Sequence, residues 1–238
     1  MRTLEKINKI IESIENPYSI KNFLDNYQIS YLIDIFNSQA SSIGPYSNLI
    51  QKNTGPITLD LREYYQDQVV SKILTGLETL IGNYEVTAAF FFKTDYPHII
   101  HNDDTFELPD TVYKGITIPL FLDGYSETYP KLCFFDQFYF HGPAKFFKGS
   151  SNVPTYYNKQ IYDYKDITGT VDKKFVDEKN YFTHLNPTWL EGLSLHSTLD
   201  WIPGDALIFD SIRLHCASDF RNIGIKSKLG ISIFTKKC

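Results

Sequence analysis

The 238 residues are 42% apolar and 21% charged, enough for one large domain with a buried core, and they exclude a disordered tail. No apolar run approaches the roughly 20 residues of a spanning helix, and the scattered charges of MRTLEKINKIIESIEN are not those of a secretory signal. Lys+Arg 23 against Asp+Glu 28 gives a net charge of −5, which argues against a nucleic-acid partner and, with no spanning segment, against a membrane one.

Leu4, Ile7, Ile11 and Ile14 recur at helical spacing until Pro17. Ser19 is read as the N-cap of a helix in KNFLDNYQ, followed by an apolar face of Tyr31, Leu32, Ile35 and Phe36. SQASSIGPYSN is expected to be a loop. Val69, Ile73, Leu77 and Leu80 predict the longest helix, within 61–81, ended by Gly82-Asn83. After Tyr84 the pattern changes to short β-branched and aromatic runs, YEVTAAFFFK, YKGITIPLFLDG, KLCFFDQFYF, WIPGDALIFD and KLGISIFT, punctuated by Gly, Pro and Asp. The expected fold is mainly β, sandwich- or barrel-like, with N-terminal helices. No repeat or linker divides 1–238, so one domain is expected: helical over about 1–83, β over about 84–238, with a long insertion over about 142–195. Aromatics make up 16% of the chain, suiting a β core and an organic-ligand pocket. Cys133, Cys216 and Cys238 form neither a zinc-knuckle spacing nor a disulfide framework, and a reducing, cytoplasmic setting is the simplest reading.

Among the six histidines, His101 lies in YPHIIHNDD two residues before Asp103. In an extended segment such residues share a side, so an imidazole and a carboxylate can aim at one ion, with Asp104 turned away. His98 has Ile100 at the corresponding position and is a poorer ligand. His215 comes 112 residues after Asp103, near the end of ALIFDSIRLH, read as one strand after the turn Pro203-Gly204-Asp205. Two imidazoles and one carboxylate on one face of an ion form a facial triad with open positions, as iron(II) oxygenases require. On KSKLGISIFT, Lys228, Gly230, Ser232 and Phe234 share a face. An inward Lys228 needs an anion; the alternative is a solvated strand end beside Lys236 and Lys237. Cys216 faces away from His215 and reads as packing.

His101-Asn102-Asp103, the distal His215 in IPGDALIFDSIRLH and the basic strand KLGISIF together resemble the iron(II)/2-oxoglutarate-dependent oxygenases, in the style of phytanoyl-CoA hydroxylase and the prolyl hydroxylases, over about 85–238. The resemblance implies a double-stranded β-helix (jelly-roll, cupin-like) core packed against helices. It implies iron(II) on His101, Asp103 and His215, with 2-oxoglutarate and O2 as cosubstrates. The reaction it implies is hydroxylation or desaturation of a small organic substrate, with decarboxylation of 2-oxoglutarate to succinate. Lys228 matches the residue that pairs with the far carboxylate of 2-oxoglutarate, with Ser232 on the same strand face. Two departures stand out. The usual residue is arginine, whose bidentate fork lysine lacks, and Lys228 follows His215 by 13 residues, further than is usual, which leaves Lys226 a rival. Arg213, two residues before His215, has three readings: pairing with an acid, holding a substrate carboxylate or phosphate, or competing for 2-oxoglutarate. Phe146, Phe147, Tyr156, Tyr157, Tyr162, Tyr164 and Trp189 are candidates for a lid over the site. A non-enzymatic cupin-like ligand- or metal-binding protein is the alternative function, a zinc hydrolase a third, and the sequence carries no signal of oligomeric state.

Overall fold

In this computed structural model, which describes residues 5, 9, 10, 12–42, 57–103, 113–138, 181–190 and 192–238, the named elements among the described residues are nine antiparallel strands and two helices. The strands are β1 (Tyr18–Ile20), β2 (Ile57–Asp60), β3 (Tyr84–Thr94), β4 (Lys114–Gly124), β5 (Lys131–Phe138), β6 (Leu195–Asp200), β7 (Ala206–Asp210), β8 (Arg213–Ala217) and β9 (Ile225–Lys237), and the helices are α1 (Asn26–Ser42) and α2 (Gln68–Ile81). A six-stranded sheet runs β1-β7-β4-β9-β3-β2, and a three-stranded sheet runs β6-β5-β8.

The alternation of β9 sets the layers. Leu229, Ile231 and Ile233 join Phe91, Ile116, Ile118 and Ile208 in a core against Leu32 and Phe36 of α1 and Val70, Ile73 and Leu77 of α2. The opposite face of the large sheet meets the small one through Leu207, Phe209, Leu132, Phe134 and Trp201. Gly230 is required there, because a Cβ would stand 2.9 Å from the Trp201 ring and 3.0 Å from the Ile118 carbonyl oxygen. The outer face of the small sheet, with Cys133, Phe135, Leu214 and Cys216, is covered by Ile100, Phe182, Leu185, Leu190 and Leu193.

Several elements differ from expectation. Ser19 is in β1, opposite Leu207, and caps nothing. The helix starts at Asn26 because Asp25 and Gln28 form a capping box: the Gln28 N–H donates to Asp25 Oδ1 at 2.8 Å, and the Asp25 N–H to Gln28 Oε1 at 2.9 Å. α1 continues through Ser42, into a stretch read as loop, and its 17 residues exceed the 14 of α2. α2 begins at Gln68 because the Asp67 carboxylate accepts from the Val69 and Val70 N–H groups; Leu61–Tyr64 is a separate 3₁₀ turn. β1 and β2 place strands within the part read as helical. ALIFDSIRLH is two strands, not one: the chain turns at Ser211-Ile212 and passes from the large sheet to the small one. Leu4, Ile7, Ile11, Asp104 and most of 142–195, including Phe146 to Tyr164, lie outside the described residues. No helix among the described residues is long and apolar enough to cross a membrane.

Leu77 is fully buried under α2, whereas Leu80 on the same helix is 41% exposed. Leu77→Ala is expected to cost about 2–5 kcal/mol in urea unfolding and Leu80→Ala less than about 0.5 kcal/mol. Equal costs would contradict the placement of α2.

Candidate metal centre

Residues 98–103 run beside β8 as an extra edge. The His101 N–H donates to the His215 carbonyl at 2.9 Å, and the His215 N–H returns to the His101 carbonyl at 2.8 Å. This reciprocal pair sets the rings 4.2 Å apart between centroids. Two residues on, the Asp103 N–H donates to the Ser211 carbonyl at 2.8 Å, at the turn joining β7 to β8. The 112-residue separation is thus closed by three backbone hydrogen bonds.

His101, Asp103 and His215 each offer a ligand atom within 4.8 Å of the others, and they form the one such group among the described residues. His101 Nε2 is 3.4 Å from Asp103 Oδ1, and His215 Nε2 is 3.4 Å from Asp103 Oδ2. Each Nδ1 faces a carbonyl oxygen: Ile99 at 2.7 Å for His101 and Arg213 at 2.9 Å for His215. A carbonyl only accepts, so both Nδ1 atoms carry a proton, and Nε2 is the atom of each ring left to face the carboxylate and to ligate an ion. Backbone orientation of ligating imidazoles is what a metal centre needs, and this donor set fits a divalent ion. Burial lowers the pKa of His101, and the neighbouring His215 lowers it further against the opposing pull of Asp103. Burial alone would raise Asp103, but in metal-free protein the charge and hydrogen bonds of protonated His215 and His101 more than reverse it and hold the carboxyl below its usual range. Gly115 leaves room at the centre: a Cβ there would lie 3.4 Å from Asp103 Oδ2 and 2.7 Å from the Phe209 ring.

Lys228 is 5% exposed, which rules out the solvated strand end; Lys226 is exposed. Its ammonium lies 4.9 Å from the Trp201 ring centroid and 5.4 Å from that of Phe220. Among the described residues it has no carboxylate partner, and burial pulls its pKa down to about 8. Ser232 is half-buried between Phe90 of β3 and Thr117 of β4. Arg213 is buried, with Nη1 donating to the Phe135 carbonyl at 3.0 Å and the guanidinium 4.4 Å from the Phe138 ring centroid; no acid among the described residues pairs with it. His98 is exposed, its ring tilted against that of His101 at 3.9 Å between centroids, outside the triad. Cys216 packs on the outer face of the small sheet, and so does Trp189, which places that residue away from the metal site and not over it. Sequence reasoning missed the carbonyls of Ile99, Arg213 and Ser211, because a backbone acceptor leaves no residue-type signal. It also missed Trp201 and Phe220 around Lys228, although Trp201 opens the turn WIPGD.

No family model matches the sequence, and no curated protein matches it. Solved structures do match. The non-haem alpha-ketoglutarate-dependent carbocyclase SnoK of nogalamycin biosynthesis superposes with a TM-score of 0.55 at 12% identity, over 99% of this chain and 84% of that one. The epimerase SnoN of the same biosynthesis gives 0.53 at 11% identity, over 97% and 82%. SnoN in complex with Fe3+, alpha-ketoglutarate and nogalamycin RO gives 0.51 at 11%, over 97% and 84%. The chain therefore has the fold of non-haem alpha-ketoglutarate-dependent enzymes.

The buried lysine has a pH signature. Below about pH 8 Lys228 is charged in both states, and its burial costs stability. Between about 8 and the ordinary 10.5 the unfolded chain binds more protons than the folded one, so stability rises with pH. In metal-free protein, the unfolding free energy is expected to gain on the order of 3 kcal/mol across this window relative to Lys228→Met. An identical pH profile for the variant would contradict a buried, unpaired ammonium.

Proposed function

We propose that the protein is a non-haem iron(II)- and 2-oxoglutarate-dependent dioxygenase, an oxidoreductase that hydroxylates a small organic substrate and converts 2-oxoglutarate to succinate and CO2. The observation that carries this reading is the convergence of the two Nε2 atoms on the Asp103 carboxylate, with both Nδ1 atoms committed to carbonyls. The fold shared with alpha-ketoglutarate-dependent enzymes supports it. The two sheets are read as the major and minor sheets of a double-stranded β-helix, with the site between them.

His101, Asp103 and His215 would hold iron(II), which supplies dioxygen activation when bound. Asp103 would contribute the anionic ligand, which the bound cation would hold ionised. Lys228, buried from water and unpaired among the described residues, would receive the far carboxylate of 2-oxoglutarate. A single charge-assisted contact in a dry setting is strong even without the bidentate fork of arginine. That carboxylate would restore the ammonium toward its ordinary pKa and hold it charged. Ser232 is a second polar group on the same strand, and Lys226, being exposed, is the weaker partner. Trp201, Phe134 and Phe209 keep the interior apolar, which excludes water from a reactive centre.

Protein supplied anaerobically with iron(II) and then with 2-oxoglutarate and air is expected to form succinate. His101→Ala and Asp103→Ala are each expected to lower that turnover by more than about 100-fold. Succinate formation undiminished in both variants would refute the assignment. Lys228→Met is expected to weaken 2-oxoglutarate binding by at least about tenfold, read by calorimetry. Unchanged affinity would remove Lys228 from the cosubstrate site.

A further inference from the structure

The arginine two residues before the distal histidine has an unusual environment. Arg213 stands opposite Phe138 in the β5–β8 register, as His215 stands opposite Phe134. In both pairs the side chains meet: the guanidinium lies 4.4 Å from the Phe138 ring centroid, and the His215 ring is 5.9 Å from that of Phe134. Arg213 and His215 therefore share the interior face of β8, about 7 Å apart along the strand. The guanidinium has five N–H donors. Among the described residues one hydrogen bond is made, from Nη1 to the Phe135 carbonyl, and the buried Nε has no partner. Among the described residues, the two acids whose charges reach it are engaged elsewhere. Asp210 accepts from Lys114 Nζ and from the Glu15 N–H, each at 2.8 Å, and Asp136 contacts His196 Nδ1 at 2.8 Å.

A buried cation that is neither paired nor fully hydrogen-bonded costs stability, and such a cost marks a place for a ligand anion. The charges of the proposed centre lead to the same point. Iron(II), the Asp103 carboxylate, the 2-oxoglutarate dianion and the Lys228 ammonium sum to zero. Arg213 then stands as a further positive charge on the same interior face, and the cosubstrate has no third carboxylate to meet it.

We propose that Arg213 binds an oxyanion group of the substrate, a carboxylate or a phosphate, and so orients an acidic small molecule at the metal. This inference rests on the oxygenase reading for its chemistry, while its site is separate from Lys228. The Phe138 face holds the guanidinium plane in place, and Nε with the remaining Nη offers a fork to two oxygens. A neutral or cationic substrate would leave the charge unmatched, so the residue selects for acids.

The test uses full-length protein loaded with manganese(II), which is redox-inert here, and saturated with 2-oxoglutarate. Inorganic phosphate and acetate are the anion probes, titrated at constant ionic strength against chloride and read by calorimetry and thermal shift. Wild type is expected to bind one probe with a raised Tm. Arg213→Gln is expected to weaken that binding by at least about tenfold, and Arg213→Lys to retain part of it, which also reports that the site still folds. Preference for phosphate over acetate, or the reverse, identifies the substrate's anionic group. In the same samples Arg213→Gln is expected to keep its 2-oxoglutarate affinity within about twofold of wild type. Anion binding equal in Arg213→Gln and wild type, or no anion binding by wild type, would overturn the proposal. So would a loss of 2-oxoglutarate affinity in Arg213→Gln comparable to that in Lys228→Met. Should wild type bind no 2-oxoglutarate, the oxygenase reading fails by itself; the anion titration of metal-free Lys228→Met, compared with Lys228→Met/Arg213→Gln, then decides for or against Arg213 as an anion site.

Discussion

The reciprocal backbone pair between His101 and His215 is the constraint on which the site depends. It joins an irregular segment after β3 to the edge of the small sheet, and it sets the separation and direction of two imidazoles at once. Side-chain hydrogen bonds then lock each ring: the Ile99 and Arg213 carbonyls take the Nδ1 protons, and the Nε2 atoms are left to face Asp103. The histidines are thus oriented by main chain, which few substitutions can disturb. Rigid placement of this kind is what a metal centre with open positions demands.

The same sandwich isolates two cations. Lys228 is enclosed by Trp201 and Phe220, and Arg213 by Phe138 and the Phe135 carbonyl. Neither has an acid as a partner among the described residues. The contrast with Lys114 is instructive, because that lysine is as buried yet meets Asp210 and Glu15 at 2.8 Å each. Burial lowers its pKa, the two acids more than reverse it, and the ammonium is fixed. Where the chain needs a cation for structure, it supplies the anion. Lys228 and Arg213 lie on interior faces and are supplied none among the described residues, an arrangement suited to anions recruited from outside.

Much of this was legible in the sequence, for identifiable reasons. The change from 3.6-residue to two-residue periodicity near Tyr84 separates α2 from β3. His101 and Asp103 stand out through their spacing, and His215 through the turn and apolar run before it. Other features were hidden because they are tertiary. ALIFDSIRLH reads as one strand, and only the packing of two sheets breaks it at Ser211-Ile212. Ser19 has the side chain of a cap but lies where pairing with Leu207 wins, while the helix is capped by Asp25 and Gln28, whose three-residue spacing is the sequence mark of a capping box. Charge pattern alone does not decide whether Lys228 faces water, because Lys226 stands two residues before it and Lys236 and Lys237 end the same strand. The isolation of Arg213 depends on which acids Lys114 and His196 occupy, a property of the folded chain.

X-ray absorption on protein carrying one equivalent of iron(II), prepared without oxygen, tests the central claim most directly. Two imidazole scatterers are expected for the wild-type centre and one for His215→Ala. A spectrum with no imidazole, or one that keeps both imidazoles after His215 is removed, would contradict the convergence of these side chains on a single ion.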